Sequence, residues 1–381
     1  MSQKSAELRD AGIDIINMSV GEPDFDTPGH IKEAAMWAIE ENFSRYTPVP
    51  GYMSLRQAVS RKLKEENGLD FAPEQIVVGN GAKQELCNVV LALVNPGDEV
   101  IIPVPAWVSY VEMVKLAGGK VVTVHSGVEQ DFKVTPAQIE AAITPRTRLI
   151  MLNSPSNPTG SVYSREELRE LASVIGRHEQ VTVLADEIYE HINFSDAPLT
   201  SIAEFEELSG HVVIINGVSK AYAMTGWRIG YMAGPEEIAR AVIKLQGQYT
   251  SGASSIAQKA AEAAYNGPRQ CVEDMCAAFR RRRDLIVELA SQVPGWEINC
   301  PDGAFYLFPK VEGVLGRHTP EGEEIKTSGD YVLYLLNSAH VATVDGEAFC
   351  APGYIRLSYA LGDEDIRTAL TRIKEATEKL S

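Results

Sequence analysis

Gly217-Val218-Ser219-Lys220-Ala221-Tyr222-Ala223-Met224-Thr225-Gly226-Trp227-Arg228-Ile229-Gly230-Tyr231 follows an apolar run from His211 to Ile215. That run reads as a buried strand, so the stretch sets a lysine in a loop of small residues at a strand end. A second short apolar run follows, with Arg228 at its head. A lysine in a loop is ordinarily a solvated surface charge. Desolvation at a strand end would instead lower its pKa and free its amine for carbonyl chemistry. The arginine adds a fixed charge suited to a phosphate. Together they suggest a Schiff-base lysine beside a phosphate clamp, the pairing that pyridoxal 5'-phosphate (PLP) requires.

Working outward, other segments end in the same way. Gln75 to Val78 is a short apolar run, then Gly79-Asn80-Gly81-Ala82-Lys83-Gln84, then a helix marked by Leu86, Val89, Val90 and Leu93. Strand, glycine turn and helix present free N–H groups and a helix dipole to a phosphate. The turn is neither a GxGxxG fingerprint nor a Walker loop, which counts against dinucleotide and nucleoside-triphosphate binding. Glu99 to Ile102 is followed by Trp107, and Arg148 to Leu152 by Asn153-Ser154-Pro155-Ser156-Asn157-Pro158-Thr159-Gly160. A helix starts at Ser164, with Glu167 completing a capping box. Val181 to Ala185 ends in Asp186-Glu187-Ile188-Tyr189. A carboxylate at a buried strand end is costly unless it is paired. It is either satisfied by backbone N–H groups or set against a cationic ring nitrogen, where it keeps a pyridine ring protonated and electron-accepting. Tyr189 would then donate to the ring's phenolate oxygen.

Strand–helix alternation from 75 to 215 predicts a largely parallel α/β sheet. The candidate residues follow its strands, where open α/β sheets bind ligands. Before it, residues 5–17 read as the end of a helix running into a short apolar piece, and 29–42 and 54–66 read as helices, the first with Ile31, Ala35 and Ile39 on one face. After it, helices are expected at 235–247 and 268–292. Arg280 to Arg283 point in turn around the second of these, which predicts a solvated surface. Strands are expected at 303–308, 341–344 and 354–359, in a small α/β domain joined by the N-terminal segment. Arg356 sits inside the last strand, where an arginine must find a partner because it cannot neutralise. That partner is a structural acid or a substrate carboxylate held in two-pronged fashion.

The totals are those of an ordinary globular protein: 45% hydrophobic and 23% charged among 381 residues, enough for two cores. A net charge of −17 argues against nucleic acid or anionic membrane as partners. The five cysteines show no CxxC pair and no metal-type spacing, which predicts free thiols in a reducing cytoplasm and no metal. Met-Ser-Gln-Lys-Ser-Ala-Glu has no apolar signal region, and no run is long and apolar enough for a membrane span.

The order glycine turn, aromatic, Asn, Asp…Tyr, Lys, Arg resembles the class I aminotransferases, fold-type I PLP enzymes, over nearly the whole chain. The likeness is greatest to the prokaryotic aspartate/prephenate group. It implies a large domain (27–280) with a mostly parallel seven-stranded sheet flanked by helices, a small α/β domain (281–381), and an N-terminal segment (1–26) packing with the latter. It implies catalysis by Lys220 with Asp186 and Tyr189. It implies cofactor binding by Gly81, Ala82, Lys83, Trp107 stacked on the ring, Asn157 on the phenolate oxygen, Ser219 and Arg228, and by Tyr46 reaching across a homodimer to the partner's phosphate. Gly21, Lys83, Trp107, Asn157 and Arg356 would meet the substrate, with Arg356 on the α-carboxylate. Lys83, placed where a helix dipole disfavours a cation, would read a distal carboxylate. The implied reaction moves an amino group between aspartate or glutamate and a 2-keto acid, with prephenate as a further candidate. Two departures stand out. Gly217 occupies a position that in the family often carries a hydroxyl. Related enzymes also carry a longer N-terminal arm that closes over the site, so the likeness implies impaired closure here. The rival readings are another PLP enzyme of this fold, a C–S lyase or decarboxylase, and a non-catalytic aminotransferase-like ligand-binding module.

Overall fold

The computed structural model describes residues 12–195 and 197–381. The helix end expected from residue 5 lies largely outside them. At the centre is a seven-stranded sheet in the order β2-β8-β7-β6-β5-β3-β4. Its strands are β2 (Ile76–Asn80), β3 (Glu99–Val104), β4 (Lys120–His125), β5 (Thr147–Asn153), β6 (Thr182–Asp186), β7 (Val212–Gly217) and β8 (Ile229–Ala233). Within the sheet β8 pairs antiparallel with both β2 and β7, while the other pairings are parallel. The apolar runs of β5, β6 and β7 are buried almost throughout, as a strand covered on both faces requires.

The flanking helices are α1 (Gly29–Glu40), α2 (Met53–Asn67), α3 (Ala82–Leu93), α4 (Ser109–Leu116), α5 (Pro136–Ala142), α6 (Arg165–Ile175), α7 (Glu236–Tyr249), α8 (Ser255–Asn266) and α9 (Gln270–Ala290). The capping box at the head of α6 forms: Glu167 N–H donates to Ser164 Oγ at 3.2 Å, and Ser164 N–H to Glu167 Oε2 at 2.7 Å. Helix α8 has no counterpart in the sequence reading. It buries Ala257, Ala260, Ala261 and Ala264 together with the polar Gln258, which leaves no bulky apolar stripe to detect. It packs against α1, whose buried face is Ile31, Ala35 and Ala38. Ile39, expected on that face, is 60% exposed. A partner surface of alanines admits Ala38 at close range and leaves its bulkier neighbour outside.

A second apolar core gathers Ile16 and Met18 with residues of α9 and of the chain beyond it. Strand β1 (Ile16–Asn17) pairs in parallel with β10 (Val341–Ala342). Strands β11 (Val344–Asp345), β12 (Ile355–Ser358) and β9 (Tyr306–Leu307) form a three-stranded antiparallel sheet. The expected strand 341–344 is thus two short strands with different partners, and the other two are shorter than their apolar runs. Helices α10 (Ser328–Tyr334) and α11 (Asp363–Glu378) complete this part.

The reading of Arg280 to Arg283 as a solvated surface fails at Arg282, which is buried. Its guanidinium makes a two-pronged ion pair with Asp24 at 2.7 and 2.9 Å and lies over the rings of Phe25 and Phe279. Arginine tolerates burial when its fork is matched and its flat face is stacked. Here both conditions are met by the segment that leads into the cavity.

Candidate active site

A cavity of about 350 Å³ opens at the carboxyl ends of the parallel strands, and Arg356 of β12 and Tyr306 of β9 reach it from the second core. Five strands each deliver one group at or just past their ends: Gly81 after β2, Trp107 after β3, Asn157 after β5, Asp186 at the end of β6, Lys220 after β7. Because β8 runs the other way, its leading residue Arg228 arrives at the same edge.

Lys220 Nζ donates to the carbonyl of Gly21 at 2.6 Å. Burial, the largest influence, lowers its pKa to about 8; Glu22 opposes, and Arg228 and Arg356 push further down. The Asp186 carboxylate accepts from Tyr110 Oη at 2.6 Å and from the N–H of Ile188 at 3.2 Å. Burial raises its pKa to about 6, with Tyr110 and Ile188 pulling back. Tyr189 Oη lies 2.8 Å from Tyr306 Oη, and burial drives the Tyr189 pKa well up.

Gly81 caps α3 at φ +85°, and a Cβ there would overlap the Arg228 guanidinium. Arg228 Nη1 donates to the carbonyl of Thr225 at 2.9 Å. The turn, the start of α3, Ser219 and Arg228 form a cationic cradle of the kind that holds a phosphate. Gly217 is explained by the sheet: a Cβ would sit 2.8 Å from Gly230 Cα and from the carbonyl of Ile229 on β8. A hydroxyl side chain has no room there.

Arg356 is 7% exposed and lies over the rings of Tyr306 and Phe349. It donates to Asn157 Oδ1 at 2.9 Å and to the carbonyl of Ser19 at 2.7 Å, and its Nε has no partner. Among the described residues no carboxylate pairs with it. Lys83 Nζ stands 4.6 Å above the ring of Trp107, at the cavity wall.

The sequence-predicted residues Gly21, Ala82, Lys83, Trp107, Asn157, Asp186, Tyr189, Ser219, Lys220, Arg228 and Arg356 thus line one cavity, and Gly81 lies directly behind Arg228. Tyr46 is absent from it and 99% exposed. Tyr110, Asn153 and Tyr306 also line the cavity and were not singled out from sequence. A buried acid needs donors, which signals a hydroxyl near Asp186, but nothing in the spacing says it comes from α4. Elsewhere Glu66, Glu190 and His191 converge, with Lys62 and Arg269 paired to the two carboxylates.

Residues 13–373 match the family model described as aminotransferase class I and II. The chain belongs to that family. It is 47% identical to the aspartate/prephenate aminotransferase of Cereibacter sphaeroides (strain ATCC 17029 / ATH 2.4.9), covering 100% of this chain and 96% of that protein. The crystal structure of the Rhizobium meliloti aspartate aminotransferase superposes with a TM-score of 0.97 at 44% identity, over 100% of this chain and 95% of that one. The Thermus thermophilus aspartate aminotransferase with maleate gives 0.90 at 41% identity, over 98% and 95%. The chain is a PLP-dependent transaminase, and its cavity fits that cofactor. The cradle suits the phosphate, the desolvated lysine suits the aldehyde, and a buried carboxylate faces the space between.

Proposed function

We propose that this aminotransferase exchanges amino groups between aspartate or glutamate and a 2-keto acid, with prephenate a further acceptor. The observation that carries this is Arg356, a buried guanidinium with an unpartnered N–H and, among the described residues, no acid against it. A buried cation without an anion is costly, so a substrate carboxylate is its natural counterion. Every amino acid offers an α-carboxylate, so the acidic preference rests on Lys83. It rests also on the relatives, which are named for aspartate and prephenate, one of them crystallised with maleate.

PLP, when bound, supplies an electron-accepting ring that stabilises negative charge at the substrate Cα. Lys220 would anchor it and, with its amine free, would take the proton from the substrate Cα as base and deliver it to the cofactor's carbon as acid. Asp186 would hold the ring nitrogen protonated. Asn157 and Tyr189 would donate to the phenolate oxygen, and Trp107 would cover the ring. Gly81, Ala82, Ser219 and Arg228 would hold the phosphate, with Lys83 adding charge. Gly21 and Arg356 fix the α-carboxylate. We divide the chain into residues 27–280, which carry the groups assigned to the cofactor, 281–381, which carry Arg356, and 1–26, which carry Gly21 and pack on the latter. Helix α9 runs through the boundary.

Lys83→Ala tests the acidic preference. Loss of a charged contact costs about 1.5–3 kcal/mol, so kcat/KM for aspartate should fall about tenfold to a hundredfold, and that for alanine or phenylalanine much less. An equal loss for acidic and neutral substrates means that Lys83 serves the cofactor, and the dicarboxylate reading is withdrawn.

We further propose a homodimer with a shared site. Tyr46 is 99% exposed, and Met36, Trp37 and Ile39 expose apolar surface on α1, which a second copy would cover. Tyr46→Phe should weaken PLP binding about tenfold, the usual effect of losing a hydrogen bond to a charged group. Sedimentation showing a monomer that still binds PLP tightly and turns over would contradict this. A reducing cytoplasmic setting suits the five free cysteines.

A further inference from the structure

Beneath the phosphate cradle lies a carboxyl group that none of these roles uses. Glu85 is fully buried in the first turn of α3. Its Oε1 has no hydrogen-bond partner, and its Oε2 receives a long 3.4 Å bond from Asn88 Nδ2. A Cβ on Gly79 would overlap Oε1, so the carboxyl abuts the β2 backbone two residues before Gly81. Two strand residues span roughly 7 Å. The carboxyl and the cradle are therefore about 10 Å apart or less.

The surroundings of Glu85 hold little charge. Asn88 is bound in turn by Gln246 and Tyr249 of α7. Gln246 also donates to the carbonyls of Val78 and Val49, which ties this cluster to the segment bearing Tyr46. Burial pushes the Tyr249 phenol and the Cys87 thiol up. Helix α4 offers Glu112 and Lys115, paired with each other in solvent at 2.8 Å. Strands β2, β7 and β8 carry no charged residue. Among the described residues no cation pairs with Glu85. Its pKa is raised to about 8 by burial, which Asn88 offsets in part.

We infer that Glu85 is a positioning residue whose protonation sets how tightly the neighbouring cradle holds the cofactor phosphate. The neutral acid supports the turn without opposing the anion. The carboxylate places a second negative charge close to a phosphate dianion in a medium of low dielectric. Coupling of this kind is reciprocal: phosphate binding raises the proton affinity of Glu85, and loss of that proton weakens phosphate binding. The inference rests on the PLP reading of the cavity.

Its test uses pyridoxamine 5'-phosphate, which cannot link covalently to Lys220, and the apoprotein. The dissociation constant is measured at pH 7 and pH 9.5 for wild type and Glu85→Gln. Between these values the wild type should lose about tenfold more affinity than the variant. Lys220 and the ligand itself also titrate in this range, equally in both proteins, so the difference isolates Glu85. Should the glutamine variant fail to fold, Glu85→Met removes the charge with an apolar side chain of similar length. Parallel pH dependences for wild type and variant overturn the inference and leave the cofactor reading intact. A wild-type protein that takes up neither pyridoxamine 5'-phosphate nor PLP at pH 7 overturns the cofactor reading instead.

Discussion

Lys220→Ala should lower turnover by about four orders of magnitude and abolish borohydride-dependent labelling of the protein by PLP. A positioned general acid–base group contributes roughly 10²–10⁴-fold on its own, and in the role proposed for Lys220 the same amine would also be the point of covalent attachment. Two lysines line the cavity, so the assignment has a real rival. Lys83 stands over Trp107, whereas Lys220 is placed after β7, against Gly21 and close to the Tyr189 ring. Peptide mapping after reduction should find the label on Lys220, and a label on Lys83 would end the assignment. Lys220→Arg keeps the charge but cannot release a proton, so it should be as inactive as the alanine variant. The pH dependence follows from the Lys220 pKa, lowered to about 8 by burial. Below that value the ammonium form predominates and cannot attack a carbonyl. The rate at which apoprotein takes up PLP should therefore rise about tenfold per pH unit up to about pH 8 and then level off.

What was legible in the sequence follows from how the sheet is buried. Strands β5, β6 and β7 are covered on both faces, so they read as unbroken apolar runs, and the polar residue ending each run stood out. Asp186 was found in this way, and Lys220 as the lysine just past β7; Asn157, four residues beyond β5, was named only through the family likeness. Arg356 was legible for a related reason, because a charge inside an apolar strand demands an explanation. The antiparallel direction of β8 was not, since Ile229 to Ala233 carries no mark of its orientation. Helix α8 escaped because alanines bury without an apolar stripe. Arg282 misled because its partners, Asp24 and Phe25, lie some 250 residues away in sequence. Tyr110 and Tyr306 belong to the same class of miss. Each owes its place at the cavity to tertiary packing, Tyr110 through Asp186 and Tyr306 through Tyr189.

Asp186→Asn separates function from structure more sharply than any other single change. The carboxylate is buried, with Tyr110 donating to Oδ2 and the N–H of Ile188 to Oδ1; an asparagine keeps the Ile188 bond at its oxygen and offers its amide N–H to the Tyr110 oxygen, which can turn to accept it. The substitution therefore removes charge and little else. In the role proposed above, that charge would keep the cofactor's ring nitrogen protonated. One charge contact at ~4 Å is worth about 4 kcal/mol at an effective dielectric near 20, so turnover should fall by about three orders of magnitude while PLP remains bound. Stability should move the other way. Burial raises the Asp186 pKa from 3.8 to about 6 in the folded chain. A carboxyl with a raised folded pKa withdraws stability as pH climbs from the unfolded to the folded value, and that loss is complete by pH 7. A rise of this size corresponds to about 3 kcal/mol at most. The unliganded Asn variant should thus melt at or above the wild-type temperature at pH 7, with the gain vanishing near pH 4. A charge that costs the fold stability while supporting turnover is the pattern of a functional group. Normal transamination by Asp186→Asn, or a lowered melting temperature at pH 7, would make the strand-end carboxylate a structural one.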